Sequence, residues 1–327
     1  MENNKAIINC SIRISRNIAK MPFVHKQSDE ARSETVQRVA SALPEGEFEL
    51  IIVNDKNKLR IRSLIEHGLC SSNMTMLKGG AVLLAKNERV CISVNDVDHI
   101  RILARCGGSG IAEAYAEVTE IDSLLEKKLT FSFDPQLGYL SPNPSCIGTG
   151  MTASFVLHLA GISIAKQTDA FLLNAAKLGC LVRPVYSDSN GPIGQFYSLS
   201  NQHTLGMTEN EIIGRMSDIA AKVSEQEMQL RSAAYENKTD AITDLAMRSL
   251  GVCKYAYKLS MKEMLQHISN ILLGESLGIL TIDNELAKRI ITECSPCTIA
   301  LCAENIDSAD AENKHRAEKL KSLLQAI

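Results

Sequence analysis

Four stretches of the chain carry the short apolar runs of β-strands. FELIIV (48–53), AVLLAK (81–86), RVCISV (89–94) and KLTFSF (128–133) combine strand length with β-branched or aromatic side chains. The polar AKNERV joins the second run to the third as a hairpin, which predicts antiparallel pairing. Between these runs, SDEARSETVQRVASAL (28–43) offers Ser28 as an N-cap with acids behind it, and GIAEAYAEVTEIDSLLEKKL (110–129) repeats apolar residues at helical spacing. Helices are therefore expected over one face of an antiparallel sheet. After SNQHTLG (200–206) the texture changes. From Thr208 onward helical periodicity dominates, and NEIIGRMSDIAAKVSEQEMQLRSAAYE (210–236) reads as one long amphipathic helix. The polar break ENKTD (236–240) marks the expected boundary between an α+β domain at 1–235 and an all-helical domain at 236–327. No internal repeat or low-complexity segment interrupts the pattern.

Composition adds exclusions. With 327 residues, 45% of them hydrophobic and 22% charged, the chain has the make-up of an ordinary globular protein with material for two cores. A formal net charge of −3 gives no general attraction to nucleic acid or anionic membrane. The longest apolar stretch, within 153–165, is too short to span a bilayer and contains His158, and MENNKAIINC lacks the basic-then-apolar order of a signal peptide. A cytoplasmic protein is expected. Its ten cysteines then read as reduced thiols, and Cys294 and Cys297 form a single CxxC without a second pair or nearby histidines, so no metal is assigned.

One stretch has the outline of a phosphate site. In SPNPSCIGTGMTASFVLHLAG (141–161) a Pro/Ser/Asn turn leads into glycines around Thr149 and then an apolar run expected to open a helix. Gly148, Thr149 and Gly150 at a helix N-terminus would present backbone N–H groups to an anion. The other reading is a tight turn into a buried helix, since no basic residue lies in the stretch.

Four stretches in order, SIRISRNIAKMPF, VNDVDHIRI, CIGTGMTASFVLHL and VRPVYSDSNGPIGQFYSLSNQHTLG, together resemble the ATP:guanido phosphotransferases. FYSLSNQHTLGMTENEII, RSLGVCKYAYKLS and LLGESLGIL resemble its bacterial protein-arginine kinase (McsB-type) branch, so the resemblance covers nearly the whole chain. It implies a glutamine-synthetase-like antiparallel sheet flanked by helices, followed by a helical domain that binds phosphoarginine and supports a homodimer. It also implies a chemistry. Arginines and Mg²⁺ hold ATP, a Glu orients and deprotonates the substrate guanidinium, and a Cys assists.

Against that pattern the departures concern charge. The family's Asn-Glu-Glu-Asp-His stands here as NDVDH: Asn95, Asp98 and His99 persist, Asp96 replaces the first Glu, and Val97 replaces the catalytic one. A guanidinium holds its proton strongly and needs a carboxylate to fix its plane and accept a proton, which an alkyl group cannot do. The family's Cys-Pro-x-Asn-x-Gly-Thr-Gly-Leu-Arg places Asn143 at the reactive Cys and Thr152 at an ATP-binding Arg. Cys146 comes three residues late and reads as a small thiol in the turn, with a relocated nucleophile as the other reading. Ser11 replaces another nucleotide Arg, whereas Arg13, Arg101 and Arg183 are kept, either for a triphosphate or for surface ion pairs. Asp188 stands at a substrate-side Glu, and Pro184 replaces a Gly beside it. His158 and His203 read as structural. The family's phosphoarginine motif, Arg-Asp-x-x-Arg-Ala, becomes ENKHRA, which keeps Arg316 and Ala317 but places Glu312 and Asn313 where Arg and Asp belong. The same residues also read as a solvated helix face.

These departures predict a pseudokinase or strongly impaired enzyme, with weak or lost binding of ATP and Mg²⁺, serving as a regulator or adaptor in stress-linked proteolysis. The alternative is an active protein-arginine kinase with rearranged acids, Asp96 or Asp188 acting as base. A third class is a purely structural partner. The partners implied by the resemblance are protein arginine side chains, a transcriptional repressor, a zinc-finger activator and a Clp-type unfoldase.

Overall fold

Three of the four strand runs come together in one large antiparallel sheet. A computed structural model describes residues 5–75, 78–282, 284–303, 306 and 308–325. The chain begins with β1 (Ile7–Arg16), followed by α1 (Asp29–Ala42), β2 (Phe48–Ile52) and α2 (Lys58–Glu66). Next come β3 (Ala81–Ala85), β4 (Val90–Val94), β5 (Ile100–Gly107), α3 (Ile111–Glu126) and the short pair β6 (Phe133–Asp134) and β7 (Gly138–Tyr139). Then follow β8 (Met151–His158), α4 (Ala160–Ile164), α5 (Thr168–Lys177), β9 (Cys180–Pro184), the pair β10 (Ser187–Asp188) and β11 (Gly191–Pro192), and β12 (Phe196–Asn201). Eight strands share a sheet in the order β2-β3-β4-β5-β1-β8-β12-β9. The predicted hairpin pairs β3 with β4 antiparallel in the register Ala81↔Val94 to Leu84↔Cys91. The remainder is helical: α6 (Glu209–Asn237), α7 (Thr239–Tyr255), α8 (Met261–Ser276), α9 (Asn284–Glu293), α10 (Pro296–Cys302) and α11 (Ala309–Leu324). Among the described residues no helix is long and apolar enough to cross a membrane.

Packing divides the chain into two compact units. One comprises 10–154 with 200–217, and the other comprises 1–9, 155–199 and 218–327. In the first, Ile51, Val82, Leu84 and Cys91 from the sheet close over Ile61 and Leu64 of α2 and Met74. Ser28 caps α1 as expected, its Oγ accepting from the N–H of Ala31 at 3.3 Å.

Two local expectations fail. KLTFSF is not a continuous strand, because α3 closes over its first residues: the N–H groups of Lys128 and Leu129 both donate to the Leu125 carbonyl, at 3.1 and 2.8 Å. Phe131 forms an isolated bridge to Ile18, and Phe133 opens the short β6. The apolar run after Gly150 opens no helix. It is β8, in which Met151, Ala153, Phe155 and Leu157 are buried while Thr152, Ser154 and Val156 are half-buried. That alternation has the period of a strand, and it prevails over the turn-into-helix reading.

The second unit is built on α6 to α11 and a core that includes Ile8, Phe196, Met264, Ile268, Leu272, Ile290 and Leu320. It also contains a buried polar network. Glu227 and Arg231, both fully buried, pair at 2.6 Å one helical turn apart. The Glu227 carboxylate accepts from the N–H groups of Gly161 and Ile162, at 2.6 and 2.8 Å, which satisfies the N-terminus of α4. Arg231 donates to the His158 carbonyl at 2.6 Å and lies 3.0 Å from its Nδ1, while His158 Nε2 meets Ser269 Oγ at 2.7 Å.

Burial drives the pKa of His158 well below the ordinary histidine range, reinforced by the Arg231 charge, and burial lowers that of His99 as well. Both therefore hold a proton less readily in the folded chain than in the unfolded chain, where a histidine takes one up below about pH 6.5. Stability is complete above that pH and falls as the solution is acidified, by up to about 1.4 kcal/mol per pH unit for each histidine. Denaturant titrations at pH 7.5 and 5.5 are expected to show this loss, and His158→Gln should reduce the pH slope.

Candidate functional site

Most of the residues singled out from sequence converge in the first unit, on β1, β8 and the loop between β4 and β5. That loop, residues 95–99, is closed by the Asn95 N–H donating to the His99 carbonyl at 2.9 Å, with Asn95 in the left-handed region at φ 59°. The Asn95 side chain donates to the carbonyls of Arg32 and Gly79, both at 2.8 Å. His99 is fixed by Ile18, whose N–H donates to Nδ1 at 2.9 Å, and by the Pro22 carbonyl at 2.9 Å from Nε2. Both residues hold the loop in place rather than offering a proton relay.

Held this way, the loop displays a sequence of acid, alkyl group and acid. Asp96 is buried, and its Oδ2 pairs with Arg101 at 2.5 Å and accepts from Ser71 Oγ at 2.8 Å. Val97 is half-buried. Asp98 is fully buried, its Oδ1 accepting from Asn17 at 2.7 Å and from Ser141 Oγ at 2.6 Å. Asp96 Oδ1 and Asp98 Oδ2 have no partner among the described residues.

The retained arginines are only partly available. Ser11 and Arg13 are half-buried on one side of β1, alternating with buried Ile12. Arg13 donates to Thr152 Oγ1 at 2.9 Å, so the residue standing in for an arginine is now the partner of the neighbouring one. Burial and the like charge of Arg101 lower the Arg13 pKa. The Nε atoms of both guanidinium groups lack partners among the described residues. In the second unit Arg183 lies exposed on β9 and joins no ion pair among the described residues.

The turn at 143–146 exchanges two residue types. Where the family pattern has Cys and then Asn, this chain has Asn143 and then Cys146, and the two side chains meet, Asn143 Nδ2 lying 3.6 Å from Cys146 Sγ. Asn143 caps the short turn by accepting from the Ser145 N–H at 3.1 Å, and its own N–H donates to Ser141 Oγ at 3.1 Å. Burial pushes the buried Cys146 thiol up, and Asp98 adds to this, while Arg13 and Arg101 pull the other way. The thiol therefore has cationic neighbours that its sequence context did not reveal, yet it remains protonated near neutral pH.

The glycines that follow are packing residues. Gly148 has φ 111° and Gly150 φ 64°, and a Cβ on them would come within 2.8 Å of Leu205 Cα and 2.7 Å of the Ser15 carbonyl. The N–H groups of Gly148 and Thr149 donate to the carbonyls of Tyr139 and Thr204, each at 3.2 Å. The anion cradle expected at a helix N-terminus is therefore not formed by this stretch: β8 follows instead of a helix, and the Gly148 and Thr149 donors are consumed.

In the second unit Asp188 sits in a tight hairpin and pairs through Oδ2 with Lys262 Nζ at 2.5 Å. The lysine and the Asn190 N–H hold its carboxyl below the usual carboxylate range. Arg316 is fully buried. It donates from Nε to the Cys294 carbonyl at 3.0 Å, from one terminal nitrogen to the Leu259 carbonyl at 3.1 Å and to Asn313 at 2.7 Å, and from the other to Glu312. Glu312 and Asn313 precede Arg316 by four and three residues, a helical spacing readable in the sequence. The Lys262 partner of Asp188, 74 positions away, has no such signal.

A nucleoside triphosphate with its metal does not fit the first-unit cluster well. Arg13 and Arg101 supply two positive charges against the two carboxylates of Asp96 and Asp98, so the formal sum is zero, and a polyphosphate needs a surplus of positive charge.

The comparisons with known proteins accord with the pattern and the fold. The family profile for the ATP:guanido phosphotransferase C-terminal catalytic domain matches residues 31–230, and that for the protein-arginine kinase McsB C-terminal domain matches 239–327. The chain is 31% identical over 324 residues to the protein-arginine kinase of Halothermothrix orenii, covering 97% of this chain and 93% of that protein. It is 32% identical over 280 residues to the Bacillus subtilis enzyme of the same name, covering 84% and 77%. Among solved structures, the substrate-free duplicated taurocyamine kinase from Schistosoma mansoni superimposes with a TM-score of 0.61 at 20% identity, over 81% of this chain and 40% of that one. Lombricine kinase gives 0.60 at 19% identity, over 70% and 68%. From these matches the chain belongs to the ATP:guanido phosphotransferase family, in its protein-arginine kinase branch.

Proposed function

We propose that this chain is a pseudokinase of the protein-arginine kinase branch, which keeps the scaffold of a phosphotransferase without its phosphotransfer chemistry and acts as a regulator or adaptor. The observation that carries this reading is the loop at 95–99: its nucleotide-side arginine, Arg101, is already neutralised by Asp96 at 2.5 Å, and position 97 offers only an alkyl group. A guanidinium cannot be deprotonated by valine, and a triphosphate gains little from an arginine whose charge is met internally. The alternative bases are poorly suited. Asp96 is committed to Arg101 and Ser71, and Asp188 is held by Lys262 in its ionised, weakly basic form. By the same family likeness, the substrates or clients are arginine-bearing proteins, the setting is stress-linked proteolysis, and residues 236–327 form the partner-binding module.

Calorimetric titration with Mg-ATP tests the core of this reading. Losing two charge–phosphate contacts, each worth about 1 to 2 kcal/mol, weakens binding by roughly tenfold to a thousandfold relative to a site with the full arginine set. Weak binding abolished by Arg183→Ala, or no binding, is expected. A dissociation constant in the low micromolar range would overturn the proposal.

A further inference from the structure

The second unit exposes two tyrosines that no packing requirement explains. Tyr255, the last residue of α7, is 82% exposed, and Tyr257, two residues on, is 70% exposed, whereas buried aromatic area normally makes such residues core or interface anchors. They lie within Lys254-Tyr255-Ala256-Tyr257-Lys258, where each ring is bordered by lysines. Lys314 of α11 places its Nζ over the Tyr257 ring, 5.3 Å from the centroid. Beside Tyr255 the ends of α7 and α11 border a half-open pocket of about 270 Å³ lined by Lys254, Tyr255, Lys321, Leu324 and Gln325. Neither Lys254 nor Lys321 has a carboxylate partner among the described residues, in contrast to Lys258, which pairs with Asp310 at 2.6 Å. Met247, on the same helix, is 52% exposed.

The helix ends explain only part of the positive charge. Two C-terminal helix ends present together about one unit of negative partial charge, which two ammonium groups exceed. The surplus sits on a chain whose net charge is −3, so it is a local feature and not a property of the whole surface.

We propose that this surface docks a partner segment in which acidic residues flank an apolar or aromatic side chain. The apolar residue seats against Tyr255, and the carboxylates meet Lys254 and Lys321. This combination of an aromatic anchor and a cationic rim is the chemistry by which short acidic motifs are held. Docking of this kind is independent of phosphotransfer, so it stands or falls separately from the pseudokinase reading.

The test uses the full chain and a fluorescein-labelled peptide of aspartates and glutamates around a single phenylalanine, read by anisotropy, with a glutamine-for-acid counterpart as control. Saturable binding is expected for the acidic peptide alone, weakened at least about tenfold by Lys254→Glu with Lys321→Glu and also by about 0.5 M salt. Tyr255→Ala should weaken it severalfold with the salt dependence unchanged, and circular dichroism should show all variants folded. Should the double charge reversal disturb folding, Lys254→Gln with Lys321→Gln carries the same prediction with a smaller loss. Three results would overturn the proposal: no binding at millimolar peptide, equal binding by the charge-reversed variant, or a dimer in light scattering that Tyr255→Ala dissociates, which would make a second copy the occupant.

Discussion

Incubated with Mg-ATP and an arginine-rich protein, this chain is expected to form no acid-labile phosphate above background, and Val97→Glu alone is expected to leave it so. The reason is electrostatic as much as stereochemical. The cluster of Arg13, Arg101, Asp96 and Asp98 sums to zero, so a single glutamate supplies a base but takes the sum to minus one and repels the nucleotide whose phosphoryl group it should help transfer. Adding Thr152→Arg and Ser11→Arg brings the sum to plus one. Thr152→Arg also removes the hydroxyl that holds Arg13 at 2.9 Å, and Ser11 shares the half-buried side of β1 with Arg13, so the new guanidinium enters the same space. With Asn143→Cys to complete the set, arginine phosphorylation should rise at least about tenfold over the single variant, equivalent to about 1.4 kcal/mol of barrier. A parallel set with Cys146→Asn restores the family order at both ends of the turn and tests whether the touching pair is interchangeable. Substantial activity in the unmodified chain, lost on Asp188→Asn, would sink the pseudokinase reading.

What the sequence made legible follows from the range of the interactions involved. The β3–β4 hairpin, the Ser28 cap and the long α6 are determined by neighbouring residues, and all three appear where their local signals put them. The two failures come from competition between local signals. KLTFSF has strand composition but follows a helix that continues into Lys128 and Leu129, and MTASFVLH follows a glycine turn suggestive of a helix N-terminus although its own alternation is that of a strand. The candidate residues could be singled out in the sequence, but their charge balance could not. Asp96 and Arg101 are close in sequence, yet their ion pair depends on how the loop at 95–99 turns, and the links from Asp98 to Asn17 and Ser141 join residues far apart in the chain. The Cys146 environment illustrates the same limit. Nothing basic lies near it in sequence, but the sheet brings two arginines to it.

Arg316→Ala is expected to destabilise the helical region by about 3 to 5 kcal/mol, the cost typical of removing one member of a buried charge network. Arg316 is fully enclosed, and its guanidinium serves the Cys294 and Leu259 carbonyls, Asn313 and Glu312 together. Truncation leaves a void and two carbonyls without their donor, while the Glu312 carboxylate, being partly exposed, recovers some hydration. A carboxylate four residues upstream meets the arginine, so its charge is satisfied from within one helix. Two measurements separate the structural role from a ligand-binding one. If Arg316 is a structural clasp, Arg316→Ala lowers the thermal midpoint strongly, and free phosphoarginine leaves the midpoint of the unmodified chain where it is. If it is a pocket residue, free phosphoarginine raises that midpoint with concentration, as any ligand of the folded state must, and Arg316→Ala abolishes the rise with little effect on the unliganded midpoint.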